Sequence, residues 1–195
     1  MMATASEVCQ RVLWRFSVDD YAKMLTAGIL DEKDRVELID GEVRCMSPIG
    51  TRHYAMVNYL NRKLVQMVGE AGIVSIQNPI QLDDYTEPEP DVVVMLPRPN
   101  YYADSKILPA DILLVIEVAD SSLNYDRHEK LPRYATAGVP EVWIVDIEVD
   151  QYTIEQYSAP HDGHYSSKKE HSIGETVVSV SMPDTIRLVI EKIFG

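Results

Sequence analysis

Three side chains in this sequence have the types and spacing to do chemistry together. Asp91 follows Pro90 and opens the apolar run VVVML. Glu117 lies in DILLVIEVADSS, residues 111–122, where Ile112, Leu113, Leu114, Val115, Ile116 and Val118 otherwise read as a buried β-strand. A carboxylate buried alone in such a strand is costly. If the two strands are neighbours, Asp91 and Glu117 converge at one sheet edge. Two carboxylates and a backbone carbonyl suit a hard cation such as magnesium, and a shared divalent ion offsets the cost of burying both charges. Such an ion polarises a phosphate and generates a hydroxide nucleophile near neutral pH. Asp126, Lys130 and Tyr134 follow at fourfold spacing, which places them on one helix face with Arg127 and His128 near its border. A lysine there could orient or deprotonate the attacking water, or stabilise charge on the phosphorane.

Each of these residues also has a plainer reading. Glu117 could be a strand-end charge facing solvent, and Asp91 a turn residue after proline. Lys130 could be a solvated lysine paired with Asp126. Asp126 could be a helix N-cap, and Tyr134 a core residue.

Helices and strands alternate around these positions. Ser17 can cap a short amphipathic helix that ends near Gly28. Val36, Leu38 and Ile39 face Val43 and Met46 across Asp40-Gly41, a strong hairpin signal. Met56, Val57, Leu60, Leu64, Met67 and Val68 recur at helical spacing. IVSIQNPIQL reads as a strand pair or a bent strand, and RPNYYADSKILPA as a loop. Pro88 and Pro90 stiffen the approach to the Asp91 strand. NYDRHEKLPRYATAGVP reads as a helix ending near Ala137–Gly138, kinked or broken by Pro132. EVWIVDIEVDQYTIEQYSA reads as a strand, a turn and another strand, with Trp143 in the core, and TVVSV as one more strand-like run before a short apolar ending, TIRLVIEKIF. The pattern predicts an α/β or α+β domain.

Composition narrows the class. With 46% hydrophobic and 25% charged residues over 195 positions, the chain can bury a full core. A formal net charge of -13 argues against a generic nucleic-acid coat, although a cation and a local basic rim can still mediate contact with nucleic acid. Cys9 and Cys45 are far apart, in no zinc spacing, and read as reduced thiols of a cytoplasmic protein. The first residues carry no basic stretch followed by a long apolar run, so no signal peptide is expected. No apolar run reaches the ~18–20 residues of a membrane helix.

The succession ELIDGEVRCMSPIGTRH, EPDVVV, IEVADSS, D-x-x-x-K-x-x-x-Y and AGVPEVWIVD resembles the Uma-two family of putative restriction endonucleases, within the PD-(D/E)XK nuclease superfamily. The resemblance runs from about Phe16 to about Tyr157. It implies a single domain over residues 1–195, with an extension at 1–15 and C-terminal strands and tail at 158–195. It also implies a restriction-endonuclease-like α/β core, a mixed central sheet flanked by helices. Asp91 and Glu117 would be metal ligands for magnesium or manganese, with the Val118 carbonyl as a third. The superfamily lysine two places after the acid is replaced by Ala119, which points to Lys130 on the following helix. Glu37 matches an acid that supports the metal site, and His53 matches a histidine of the family. Otherwise Glu37 would pair with Arg35 or Arg44 across the hairpin, and His53 would be structural.

Two functions follow. One is a magnesium-dependent endonuclease hydrolysing DNA, using Asp91, Glu117, Lys130 and Glu37. A homodimer could then cut two strands. The other is a catalytically inactive nuclease fold serving as a binding or assembly module, which Ala119 and the acidic charge favour. HDGHYSSKKEHS reads as a solvated loop, with a basic hairpin touching nucleic acid as the alternative.

Overall fold

In the computed structural model, which describes residues 13–31, 33–147, 152–191 and 193, local signals settle most elements. Cys9 lies outside the described residues, and the Cys45 thiol is free and exposed. Helix α1 (Val18–Thr26) begins at a capping box: the Ser17 hydroxyl accepts from the Asp20 amide while the Asp20 carboxylate accepts from the Ser17 amide. Val18 and Tyr21 of α1 pack on Leu38 of the hairpin β1 (Val36–Ile39) and β2 (Glu42–Cys45).

That hairpin turns on Asp40 and Gly41, both at positive φ (53° and 79°), as a two-residue mirror-type turn requires. A Cβ on Gly41 would stand 2.7 Å from Arg15 Cβ. We therefore expect Gly41→Ala to cost about 1–2 kcal/mol from the backbone conformation alone. Urea unfolding checks this, and an unchanged midpoint would contradict it.

Helix α2 (Thr51–Val68) stops at Gly69 and buries Met56, Val57, Leu60 and Leu64. It lies on one face of a six-stranded sheet of order β3-β4-β5-β6-β7-β8. The strands are β3 (Ile73–Ile76), β4 (Val92–Met95), β5 (Ile112–Ala119), β6 (Glu141–Asp146), β7 (Thr153–His161) and β8 (His164–Ser172). Among the described strands only β5 and β6 pair in parallel, so a crossover must join them. Segment 123–136 supplies it, as α3 (Leu123–Tyr125), a π turn (Asp126–Lys130) and α4 (Leu131–Thr136).

Alternation divides the central strands. Val92, Val94, Leu114, Ile116 and Val118 face α2. Val93, Val115 and Ala119 face Tyr134 on α4. A small hairpin, β9 (Thr176–Val178) with β10 (Arg187–Val189), completes the α2 face with Val177 and Leu188. It is tied to the sheet by Glu141, a buried carboxylate that accepts from Trp143 Nε1, Gln156 Nε2, Ser179 Oγ and the Ser181 amide at 2.6–2.9 Å.

Three local expectations change. IVSIQNPIQL contributes the single strand β3. The segment 164–172 is the edge strand β8, paired with β7 across Asp162-Gly163, whose φ values of 47° and 76° again permit a tight turn. Its Lys168 is held by the Glu155 carboxylate, which Arg127 also grips. Burial works to raise the Glu155 carboxyl, but those two cations and the Tyr157 hydroxyl outweigh it and hold the group below the usual range. Finally, Pro132 does not break the crossover helix. Its missing N–H and bulky ring disfavour a regular turn over the preceding residues, and the backbone there widens to i→i+5, with the Leu131 amide bonded to the Asp126 carbonyl.

Candidate active site

The β4–β5 register aligns Val93 with Val115 and Val92 with Ile116. One further step sets Asp91 beside Glu117, on the face turned toward the crossover helix. The Asp91 amide donates to Glu117 Oε2 at 3.4 Å, and Asp91 Oδ2 accepts from the Val118 amide at 2.8 Å. The Val118 backbone thus faces Asp91, and the carbonyl of a strand residue shares the edge of its amide.

Lys130 and Tyr134 come down on Glu117 from the crossover. Tyr134 Oη donates to Glu117 Oε1 at 2.5 Å, and Lys130 Nζ lies 3.2 Å from the same oxygen. Lys130 Nζ is equally 3.2 Å from Glu37 Oε2. Glu37 is carried in by β1, which docks through paired backbone bonds between Leu38 and Glu87. Glu37 also accepts from Tyr125 Oη at 2.9 Å and from the Glu89 amide at 3.2 Å. It does not pair with Arg44, whose guanidinium goes to Glu42 and Glu129. His53, on the first turn of α2, puts Nε2 3.1 Å from Asp91 Oδ2.

Six of the side chains singled out in the sequence (Glu37, His53, Asp91, Glu117, Asp126, Lys130) line one cleft of about 210 Å³, while Tyr134 lies behind it on Glu117. Asp126 is not a helix cap; it is buried in the π turn and accepts from Ser122 Oγ at 2.6 Å. Tyr125 is a contributor that sequence reasoning missed. It stands one place before the fourfold series, and only the widened turn aims it at Glu37.

Charge in the cleft is unbalanced. Six carboxylates line it (Glu37, Glu89, Asp91, Glu117, Asp120, Asp126), against Arg35 and Lys130. Burial pushes the Glu117 carboxyl up to about 8; Lys130 opposes this, and Asp126 and Asp91 add to it. Burial likewise raises Asp126 to about 6, against the pull of Lys130 and Ser122. Burial disfavours the charged form of Lys130, but Glu117, Glu37, Asp126 and Asp91 outweigh it and hold the ammonium protonated. An excess of buried carboxylate is what a cation would relieve.

Among the described residues, no three His, Cys, Asp or Glu side chains form a ready coordination shell. Magnesium does not need one, since it keeps several waters and takes one or two carboxylates. Asp91, Glu117 and the Val118 carbonyl meet that lesser requirement.

A family model described as "Uma2: Putative restriction endonuclease" matches residues 18–191. The chain belongs to this family. The matched range spans the cleft residues from Glu37 to Tyr134. A crystal structure described as a putative nuclease belonging to DUF820, from Anabaena variabilis ATCC 29413, is similar in fold. It is 14% identical with a TM-score of 0.65, over 90% of this chain and 95% of that one. No curated protein matches. Among the described residues, no helix of this Uma2 member is long and apolar enough to cross a membrane.

Proposed function

We propose that the chain is a divalent-metal-dependent endonuclease that hydrolyses DNA phosphodiester bonds, with magnesium or manganese as cofactor. The observation that carries this reading is the cross-strand pair Asp91–Glu117 with the buried Lys130 ammonium on Glu117. Asp91 and Glu117, with the Val118 carbonyl, would hold the ion. When bound, it supplies Lewis-acid polarisation of a phosphate and makes water nucleophilic near neutral pH.

The chain's own residues do the rest. Lys130 presents a fixed positive charge beside the carboxylates, where it orients the attacking water and stabilises charge that develops on the phosphorane. Glu37 anchors Lys130, and Tyr134 anchors Glu117. His53 fixes the Asp91 carboxylate, as outer partners of metal ligands do. The mechanism needs one copy of the site per strand, which a homodimer would provide.

Metal removal tests the reading. Supercoiled plasmid incubated with the protein and magnesium should be nicked or linearised. Chelator should stop the reaction, and manganese or magnesium should restore it. A protein silent in both metals would favour the inactive binding or assembly module, a reading that the engagement of Lys130 by two carboxylates also supports.

The raised Glu117 carboxyl adds a pH dependence. Its folded value, about 8, lies above the ordinary carboxylate range, so the native state holds a proton that the unfolded state has lost. Metal-free stability therefore falls as pH rises from roughly 4.5 toward about 8. An ion that displaces this proton binds more tightly as pH rises, by up to about tenfold per unit. The thermal shift produced by magnesium is expected to grow from pH 6 to pH 8 and then level off. A shift independent of pH would place the ion away from Glu117.

A further inference from the structure

We infer that Arg35 is the residue that receives the substrate's phosphate; this rests on the nuclease reading. A polyanion must approach a cleft in which carboxylates outnumber basic side chains six to two. Lys130 is buried and lies 3.2 Å from both Glu37 and Glu117, which offset its charge for a strand still approaching the cleft. Arg35 is the other cation. Its Nε is buried without a hydrogen-bond partner, and its guanidinium forms no ion pair among the described residues. The nearby Glu89 feels its charge without pairing with it.

Arg35 also stands at a boundary. It lines the Asp91–Glu117 cleft and an adjoining groove of about 630 Å³ that runs past Gln77, Asn78 and Tyr21. Met46, Ile49 and Glu89 line both as well, so the two spaces adjoin at the arginine. A strand laid in the groove would pass Arg35 as it reached the carboxylates. The backbone is set for this one residue: Arg35 has φ 43°, uncommon for a non-glycine residue, and its carbonyl is pinned by the Met46 amide at 2.9 Å. A guanidinium is always charged and offers paired N–H donors that match two phosphate oxygens. Arg35 thus supplies the attraction that the acidic lining lacks, at the phosphate being cut or the one beside it.

The test uses Arg35→Asn, because asparagine tolerates the left-handed backbone, and Arg35→Lys, which keeps charge without the fork. Circular dichroism and the melting temperature check that both fold like the parent. Cleavage of a short duplex gives kcat and KM, and anisotropy measures duplex binding against salt. Arg35→Asn is expected to lose about ten- to a hundredfold in kcat/KM, and its log–log salt slope should fall by about one phosphate contact. Arg35→Lys should recover the slope and only part of the rate. If the parent cuts and Arg35→Asn matches it in rate and slope, the assignment of Arg35 is overturned while the nuclease reading stands. If the parent neither cuts nor binds any duplex in magnesium or manganese, both fall.

Discussion

Replacing Glu117 by glutamine is expected to abolish magnesium- and manganese-dependent DNA cleavage and to leave the fold at least as stable as the parent. The two outcomes have one cause. In the metal-free protein this carboxyl is buried, beside Asp91 and Asp126, and prefers its neutral form up to about pH 8. A neutral amide of the same shape keeps an acceptor oxygen for the Tyr134 hydroxyl and removes the excess negative charge. It also removes the anionic oxygen that an ion needs. Stability gained at the expense of function marks a residue kept for chemistry rather than for folding. Cleavage assays with unfolding in urea at pH 8 measure both. A variant that cuts like the parent, or one that unfolds well before it, would sink the assignment.

Lys130→Met should do the reverse. Its ammonium serves Glu37 and Glu117 together, in surroundings from which water is largely excluded. Removing one partner of a buried ion pair leaves uncompensated charge and costs about 3–5 kcal/mol. The loss should be greatest above about pH 8, where Glu117 is ionised, and shrink as the pH falls and Glu117 takes up a proton. Adding Glu117→Gln should recover part of it, which a double-mutant cycle reads directly. A single-variant loss below about 1 kcal/mol, the range of exposed pairs, would mean that Lys130 carries no buried charge. Cleavage should be lost in either variant.

Much of this site was legible in the residues. Asp91 and Glu117 are conspicuous because each is a charge attached to an apolar run, and burial of the run forces the question of a partner. Lys130 and Tyr134 are legible because fourfold spacing survives as a shared face. What could not be read is tertiary. Glu37 sits in a hairpin with two arginines close in sequence, and local pairing was an equal reading. Docking of β1 against Glu87 turns it toward Lys130, 93 positions away along the chain. Tyr125 falls off any regular helical face. The edge strand 164–172 was hidden by its polar composition, since a strand exposed along much of its length has no hydrophobic alternation to display. His53 carries no local signal at all; its contact with Asp91 depends on where α2 meets the sheet.

The π turn gives the crossover one residue more than its aim requires. Ordinary connecting segments tolerate insertions and deletions. Here Tyr125 and Asp126 take their direction from the helix before the wide turn, whereas Lys130 and Tyr134 take theirs from the helix after it. Each residue of an α-helix advances about 100° around the axis. Five residues of the wide turn carry the chain through about the rotation that four cover in an α-helix. Deleting one position between Arg127 and Glu129 should therefore restore a regular helix with both pairs still on target. A deletion between Leu131 and Arg133 would instead swing Tyr134 off Glu117 by roughly 100°.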